Sequence, residues 1–466
     1  MRGRPDESGV DEGSDAIDAF TELWQGATAR AETDTGDPRF SDEELAARRR
    51  RRRRRGLTAL LAVTVVLALV GGYVGWTLNA PVPLPDAATR APTSAVPDAV
   101  ELSLPDHGGW ALSVAGGEEY FAAAGTEGSD DASLWLAREA EESRSMASIT
   151  KLVTALVVLD RRPLDGPDDD GPTLTFHGVQ ALYDKYYVQN ATVARMRPGS
   201  TMTQRDVLEM MLVISASNYA EAAAVWAYGS TWSFVQAADA WLDEHGLTGT
   251  RVVEPSGIDP RNVSTPSDMI RLGKLAMADP VIAEIVGMAE LEVPGFSGVN
   301  TNSLVRNGIA RGIKTGTLDA EGANLLFSAR LDVGIEPLIV TGVVLGGSSQ
   351  GHNASVADEL MSTIRAGFHT VTVGEAGRGV GDYVTAWGAT ARMVMAADAQ
   401  LLTWSDTPVE VDMTTSALST GSAGEKVGTI TWTAGPETAT VDLVLDRDIE
   451  LPDAWWRLTH PFELAR

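Results

Sequence analysis

The stretch that decides the fold runs from Met146 to Asp160 and reads M-A-S-I-T-K-L-V-T-A-L-V-V-L-D. Its apolar run predicts a helix, with Ser148 and Lys151 three positions apart at the head of that helix. Positions i and i+3 share one face of a helix, so the hydroxyl and the amine point into the same space. A serine becomes a good nucleophile only when a base removes its proton. The pattern predicts that Lys151 is this base.

A lysine acts as a base only when its pKa falls well below the ordinary value of ~10.4. Burial together with a second nearby cation lowers a lysine pKa by roughly 3 units. The chain takes most of its positive charge from arginine and has only five lysines: Lys151, Lys185, Lys274, Lys314 and Lys426. Of these two residue types, only lysine can lose its proton inside a protein. A lysine-containing motif is therefore less often a chance match here, and we expect Lys314 to be the second cation.

Lys314 belongs to a second motif, R-G-I-K-T-G-T, which spans 311–317. On a strand at a sheet edge, Lys314 and Thr315 offer an ammonium and a hydroxyl to a carboxylate. A glycine at position 316 lets a ligand approach closely. A phosphate-binding Walker loop is excluded, because G-I-A-R-G-I-K-T lacks the glycine that directly precedes the lysine in such loops. The motif predicts a carboxylate-binding strand.

Between these two motifs lies S-A-S-N, at Ser215–Asn218, after a predicted apolar helix from Val207 to Ile214. Taken alone, these small polar residues fit an ordinary helix end, and S-x-x-K and K-T-G are weak signals singly. In this order along one chain, the three motifs are typical of serine acyl-transferases that react with penicillin.

On these motifs the chain resembles the D-alanyl-D-alanine carboxypeptidase family of low-molecular-mass penicillin-binding proteins. The resemblance covers roughly Trp110 to Phe368. It rests on the runs M-A-S-I-T-K-L-V-T-A-L, P-G-S-T-M-T-Q-R-D-V-L-E-M-M-L, E-P-S-G-I-D, N-T-N-S-L and G-I-K-T-G-T. It implies that Ser148 attacks the carbonyl between two terminal D-alanines and that Lys151 accepts its proton. Ser215 would relay that proton to the leaving D-alanine.

The resemblance also assigns the substrate contacts. Lys314 and Thr315 would bind the terminal carboxylate, beside Gly316. The backbone N–H groups of Ser148 and Thr317 would form the oxyanion hole.

Two positions depart from the family. Ser217 stands where the family's Ser-x-Asn motif has its asparagine, so a shorter hydroxyl replaces the amide. Asn218 comes one position too late to substitute, and we expect lower activity or an altered substrate preference. His352 stands where relatives often carry an arginine, and we expect a surface histidine.

The implied partners are peptidoglycan stem peptides ending in D-Ala-D-Ala, with β-lactam antibiotics as covalent inhibitors. No cofactor or metal is expected, because the chain has no cysteine and its six histidines lack metal-ligand spacing. A net charge of −27 argues against nucleic-acid binding.

Two alternative functions stay open. A β-lactamase is disfavoured because no E-x-x-L-N occurs between Ser215 and Lys314. A catalytically weak penicillin-binding scaffold in the cell envelope is suggested by Ser217 and the long amino-terminal tail.

The amino-terminal part predicts a membrane anchor. Residues 1–47 are polar and acidic and predict a disordered cytoplasmic tail. Residues 48–56 hold an unbroken arginine run, and 57–78 are uncharged and long enough to span a bilayer. Arginines fix their end of such a helix inside, so the catalytic domain is expected outside. A cleaved signal peptide is disfavoured, because Leu78-Asn79-Ala80 followed by Pro81 is a poor cleavage site.

The remaining chain predicts a proline-rich linker at 79–105, a catalytic domain at 106–375 and a small β-domain at 376–466. Strands are predicted from Trp110, Glu119 and Ser133, before the helical block, and again at 325–331 and 337–345 after it. Strands on both sides of a helical block predict an α+β class with an antiparallel sheet. By the resemblance, this is the β-lactamase/transpeptidase-like fold. Alternating strands from Val427 and Ala439 predict the all-β domain.

Overall fold

The structure is a computed structural model that describes residues 42–93, 96–125, 134–334 and 336–464. Residues 1–41, most of the predicted tail, lie outside the described residues, as does Ser133. The chain divides into two compact units. One comprises Met1–Pro83 together with Leu451–Arg466, and the other comprises Leu84–Glu450.

Helices and strands are numbered here in chain order. The helices are α1 Asp42–Asn79, α2 Glu118–Ala123, α3 Thr150–Arg161, α4 Val179–Tyr187, α5 Gln204–Leu212, α6 Ser217–Tyr228, α7 Thr231–Glu244, α8 Pro266–Ala278, α9 Pro280–Gly287, α10 Ser303–Arg306, α11 Gln350–Ala366 and α12 Ala454–Thr459. The first seven described strands are β1 Asp86–Thr89, β2 Gly109–Ala115, β3 Leu136–Arg138, β4 Arg144–Ser145, β5 Thr173–Thr175, β6 Thr201–Thr203 and β7 Val263–Ser264. The later strands are β8 Glu290–Val293, β9 Phe296–Val299, β10 Gly312–Leu318, β11 Gly322–Leu331, β12 Leu338–Gly347, β13 Phe368–Gly374, β14 Gly379–Val384, β15 Thr390–Met395, β16 Ala399–Trp404, β17 Glu410–Thr415, β18 Lys426–Ala434 and β19 Glu437–Leu445.

The first unit is built on α1, a continuous helix that includes the arginine run and the apolar segment. Residues 46–79 are long and apolar enough to cross a membrane, and none of their apolar window is buried. The carboxy-terminal helix α12 lies against the far end of α1. Tyr73 Oη donates a hydrogen bond to the carbonyl of Leu458 at 2.6 Å. Arg457 Nη1 donates to the carbonyl of Ala80 at 2.9 Å. One apolar amino-terminal helix therefore fits a membrane anchor.

The part of the second unit that contains Ser148 includes a five-stranded antiparallel sheet in the order β10-β11-β12-β2-β3. Successive residues of a strand point to opposite faces, and the packing follows this alternation. Leu326 and Val343 face the core of the helical block. Leu325 and Phe327 face a second core that is covered by α11. This arrangement confirms the predicted α+β class.

Helix α3 is the centre of the helical block. Every residue of 150–159 is buried, which is typical of a helix that neighbours surround on all sides. Two of the helices around it begin at side-chain caps. Thr203 and Asp206 form a reciprocal capping box at α5, and Thr265 caps α8.

One predicted strand is wrong. The run E-Y-F-A-A-A from Glu119 predicts a strand, but the structure has helix α2 there. Alanines favour a helix, and Glu118 and Glu119 stabilise its first turn through the helix dipole. The neighbours Tyr120 and Phe121 are both buried, whereas a surface strand would bury only one of them.

Five of the seven described strands after α11 join β1 in a six-stranded antiparallel sheet in the order β1-β14-β15-β19-β18-β17, and the other two, β13 and β16, pair with each other. The predicted strands from Val427 and Ala439 are confirmed and form the hairpin of β18 and β19, with Ala434 paired to Glu437. Strand β1 comes from the predicted linker and pairs with β14, since an extended proline-rich segment is already shaped to join a sheet edge. Leu451–Arg466 group with the first unit, although the sequence assigns 376–466 to one domain. The domain boundaries stay predictions.

Candidate active site

The nucleophile candidate lies on a tight turn. Ser148 is the middle residue of a 3-10 turn, Ala147–Ile149, directly before α3. Ala147 has a φ of +46°, a conformation that costs a non-glycine residue about 1–3 kcal/mol and that clusters at functional sites. Lys151 Nζ lies 2.8 Å from Ser148 Oγ. The structure therefore places the two side chains together, as their spacing predicts.

Lys151 is fully buried. Its Nζ also donates a hydrogen bond to the carbonyl of Ser256 at 2.6 Å. Burial lowers the pKa of Lys151 to about 7, and the negative charge of Glu254 partly opposes this shift. An amine with this pKa is free to accept a proton at neutral pH.

Lys314, on β10, is 1% exposed. Its one side-chain hydrogen bond within the described residues runs to the carbonyl of Thr315, at 3.1 Å. Burial first, and then the charge of Lys151, hold the pKa of Lys314 well below its ordinary value. The sequence predicts that burial and a cation at Lys314 together lower the pKa of Lys151. In the structure, burial is the main cause at both amines, and the two charges disfavour each other, so the pair resists carrying two protons at neutral pH.

Gly316 brings β10 against the nucleophile turn. A Cβ atom at this position would lie 2.9 Å from the backbone nitrogen of Ser148 and 3.0 Å from the carbonyl oxygen of Met146. The sequence predicts that Gly316 lacks a side chain so that a ligand can approach closely. In the structure, the close neighbour is the turn that carries Ser148.

The loop after α7 closes over the other side of the same turn. Glu254 accepts hydrogen bonds from the backbone N–H groups of Ser256 and Gly257 at 2.7 and 2.6 Å, and from Asn262 Nδ2 at 2.6 Å. These bonds fix the Ser256 carbonyl that Lys151 contacts. Sequence reasoning missed this role of Glu254, although a carboxylate two to three residues before a Ser-Gly pair is a recognisable turn signal.

The S-A-S-N motif, Ser215–Asn218, occupies the junction of α5 and α6. Ser215 has a φ of +67°, and the backbone N–H of Ser217 donates to the carbonyl of Thr192 at 2.8 Å. Asn218 is buried, and its amide donates to the carbonyl of Ala194 at 2.7 Å while accepting from the Ala194 N–H at 3.2 Å. Asn218 is therefore committed to the backbone and does not replace the amide that is missing at Ser217.

A cleft of about 320 Å³ collects these groups. The predicted site residues that line it are Ser148, Ser215, Ser217, Thr315, Gly316 and Thr317. Gln350 is a lining residue that nothing in the sequence singles out. Its Nε2 donates to the carbonyl of Gly316 at 2.7 Å and to Thr317 Oγ1 at 3.0 Å, which anchors this strand. His352 is half exposed on the surface, with Nε2 3.4 Å from Asp106.

The family model described as D-alanyl-D-alanine carboxypeptidase matches residues 132–349. A D-alanyl-D-alanine endopeptidase of Pseudomonas aeruginosa is 34% identical over 174 residues, which cover 35% of this chain and 51% of the relative. A D-alanyl-D-alanine endopeptidase of Escherichia coli is 33% identical over 191 residues, covering 38% and 57%. The Escherichia coli D-alanyl-D-alanine carboxypeptidase DacC is 28% identical over 242 residues, covering 50% and 58%. The chain spans about half to two thirds of the length of the curated relatives it matches.

Two solved structures are also similar. Penicillin binding protein 5 from Haemophilus influenzae matches with a TM-score of 0.48 at 19% identity, over 74% of this chain and 98% of the other. Penicillin binding protein 6B from Escherichia coli matches with a TM-score of 0.48 at 20% identity, over 77% of this chain and 100% of the other. Neither score reaches 0.5, so the assignment rests on the family model, whose match contains all three motifs. Through residues 132–349 the chain is similar to the D-alanyl-D-alanine carboxypeptidase family.

Proposed function

We propose that this protein is a serine-type D-Ala-D-Ala carboxypeptidase that trims peptidoglycan stem peptides. The observation that carries the proposal is the 2.8 Å approach of Ser148 Oγ to the fully buried amine of Lys151. A buried neutral amine is the base that a serine nucleophile needs. The family match supports the substrate class.

The first half of the reaction forms an acyl-enzyme. Ser148 Oγ attacks the carbonyl carbon between the two terminal D-alanines, and its proton passes to Lys151 Nζ. Ser215, which lines the same cleft, passes a proton on to the nitrogen of the leaving D-alanine as the C–N bond breaks. Water then attacks the ester carbonyl and gives its proton to Lys151 Nζ, which passes it to Ser148 Oγ as the ester C–O bond breaks. The shortened peptide leaves with a new carboxyl group.

The developing negative charge on the carbonyl oxygen needs donors. We assign this role to the backbone N–H groups of Ser148 and Thr317, each worth about 3 kcal/mol in a water-excluded site. The tight packing of Gly316 against the Ser148 backbone nitrogen supports the assignment, because it brings β10 next to the nucleophile turn.

The terminal carboxylate of the substrate affects the protonation of both lysines in the site. It binds beside Lys314, Thr315 and Gly316, where a negative charge raises the pKa of Lys314 and keeps that amine protonated. A cation at Lys314 then disfavours a proton on Lys151. Substrate binding in this way leaves Lys151 neutral at the moment when it must act as the base.

Ser217 is expected to limit the activity, because its hydroxyl is shorter than the family's amide. The substitution Ser217→Asn should raise D-alanine release by about 2- to 10-fold, the value of one hydrogen bond to the substrate. Ser362→Asn, a matched change on the exposed face of α11, should leave turnover unchanged. Equal turnover of Ser217→Asn and the unaltered protein would show that the serine does not weaken this site.

A second candidate activity is endopeptidase cleavage of cross-linked peptides, because the relatives from Pseudomonas aeruginosa and Escherichia coli carry that name. The two activities share the acyl-enzyme at Ser148 and differ only in the amine that leaves. β-Lactam antibiotics are expected to acylate Ser148 in either case.

The anchor sets the compartment. We infer that the amino terminus is cytoplasmic, because the arginine run 48–55 precedes the apolar part of α1. Tyr73 and Trp76 lie near the opposite end of α1, where aromatic residues suit the outer interface of a bilayer. The catalytic cleft is then extracytoplasmic, on the side of the membrane where peptidoglycan is found.

The test is D-alanine release by the full-length protein from a peptide that ends in D-Ala-D-Ala, with Ser148→Ala as the inactive control. Release that Ser148→Ala abolishes supports the proposal. A stable penicillin adduct without D-alanine release indicates a scaffold, and rapid penicillin hydrolysis indicates a β-lactamase. Cleavage of a cross-linked peptide dimer, without release from the linear peptide, indicates an endopeptidase.

A further inference from the structure

A second and larger cleft lies beside the active site. Its volume is about 730 Å³, against about 320 Å³ for the cleft that contains Ser148. One wall is the chain from Arg195 to Met202, and the other is the turn of the β8–β9 hairpin. We call it the arginine cleft, after Arg195 and Arg197.

The lining of the arginine cleft is positively charged. Arg195 and Arg197 are both exposed and both line it. No aspartate or glutamate is among its described lining residues, although the whole chain has 64 acidic and only 37 basic residues. Within the described part of the chain, neither guanidinium has a carboxylate partner. Arginine binds carboxylates in a two-pronged geometry, so two arginines without partners in one cleft suit an anionic group.

The rest of the lining is partly apolar. Tyr183 and Phe296 are half-buried at its walls, and Met202 and Tyr219 are buried behind them. Aromatic rings beside cations suit an organic ligand with both an apolar body and a charge, such as a peptide, better than a free inorganic ion.

The two clefts are neighbours along three separate stretches of chain. Each stretch supplies one residue to the active-site cleft and one to the arginine cleft: Thr192 and Arg195, Ser217 and Tyr219, Thr301 and Phe296. Three residues of extended chain span about 10 Å, and two residues of helix rise about 3 Å. A peptide that reaches Ser148 is therefore long enough to enter the arginine cleft within a few residues.

We propose that the arginine cleft binds a carboxylate on the acyl part of the substrate, upstream of the bond that Ser148 attacks. This inference rests on the proposed function. In a carboxypeptidase reaction the leaving group is one D-alanine, whose single carboxylate occupies the Lys314 end of the active site. A second carboxylate recognised by Arg195 and Arg197 must then belong to the part of the peptide that is retained. The cleft thereby selects acidic peptides among all those ending in D-Ala-D-Ala.

The experiment compares two peptides that end in D-Ala-D-Ala and differ only in one upstream side chain, a carboxylate or its primary amide. The kcat/KM for D-alanine release by the full-length protein should be about tenfold or more higher for the carboxylate peptide. In the double variant Arg195→Gln/Arg197→Gln the two peptides should have equal kcat/KM values. Equal values in the unaltered protein would overturn the proposal.

A matched control removes two other exposed arginines. Arg365→Gln/Arg378→Gln changes the net charge by the same amount outside both clefts, and it should keep the full preference. Loss of the preference in this control would show that bulk charge, not the arginine cleft, recognises the peptide, and would also overturn the proposal.

Binding separates this inference from the proposed function. Both peptides are titrated calorimetrically into Ser148→Ala, which cannot turn them over. If the unaltered protein releases D-alanine from neither peptide, the proposed function fails, while tighter binding of the carboxylate peptide still supports the arginine cleft. Equal affinities of the two peptides for Ser148→Ala would overturn the proposal that the arginine cleft binds a carboxylate.

Discussion

Replacing Lys151 with arginine should abolish acylation of Ser148. Arginine keeps its proton inside proteins, so it cannot accept one from the serine hydroxyl, and removal of a general base lowers a rate by about 10²–10⁴-fold. The measurement is incorporation of labelled penicillin, followed by peptide mapping. We expect an adduct on the peptide that contains Ser148 in the unaltered protein and none in Lys151→Arg.

A second variant separates catalysis from folding, because an arginine at a fully buried position can also disturb the core. Lys151→Met keeps the length of the side chain, removes the charge and should fold, yet it should be equally unlabelled. Lys426→Arg is the matched control at an exposed ion pair with Asp442, and it should label normally. Normal labelling of both Lys151 variants would mean that another group is the base.

The pH dependence of the same labelling reaction follows from the lowered pKa. Below about pH 7 the amine of Lys151 is protonated and cannot act as a base, and above it the amine is neutral. The acylation rate should therefore rise with pH through about 7 and then level off. An ordinary lysine would give a rise near ~10.4 instead.

The parts of the site that the sequence predicts are those that depend on local spacing. Ser148 and Lys151 are three residues apart on one helical turn, so their contact follows from helix geometry alone. The strand pattern of β11 and β12 is likewise local. The helix α2 is mispredicted, because its short run of alanine and aromatic residues fits both secondary structures.

The parts that the sequence does not reveal depend on neighbours far away along the chain. Gln350 holds β10 from another helix, and Glu254 shapes a loop more than a hundred residues after Ser148. The lowered pKa of Lys314 also comes mainly from burial, and the spacing of residues in its motif does not predict that burial. Such roles follow only from the packed arrangement of the sheet, the turn and the loop.

The largest expected effect on stability comes from Gly257, where the loop behind the active site meets the nucleophile turn. Its φ is +82°, and a Cβ atom would lie 1.9 Å from the carbonyl oxygen of Ala147, so no side chain fits without moving that backbone. Gly257→Ala combines a left-handed conformation, at about 1–2 kcal/mol, with overpacking, at about 1–3 kcal/mol. We expect the free energy of unfolding in urea to fall by about 2–5 kcal/mol. Penicillin labelling should also fall, because Ala147 precedes Ser148.

The matched control isolates the collision from the backbone conformation. Gly388 has nearly the same φ, +85°, but a Cβ atom there meets nothing within 4 Å. Gly388→Ala should therefore lose only about 1–2 kcal/mol and keep full penicillin labelling. If the two variants lose equal stability and both label normally, the loop does not press on the Ser148 turn. The geometry of the nucleophile must then be held by β10 and α3 alone.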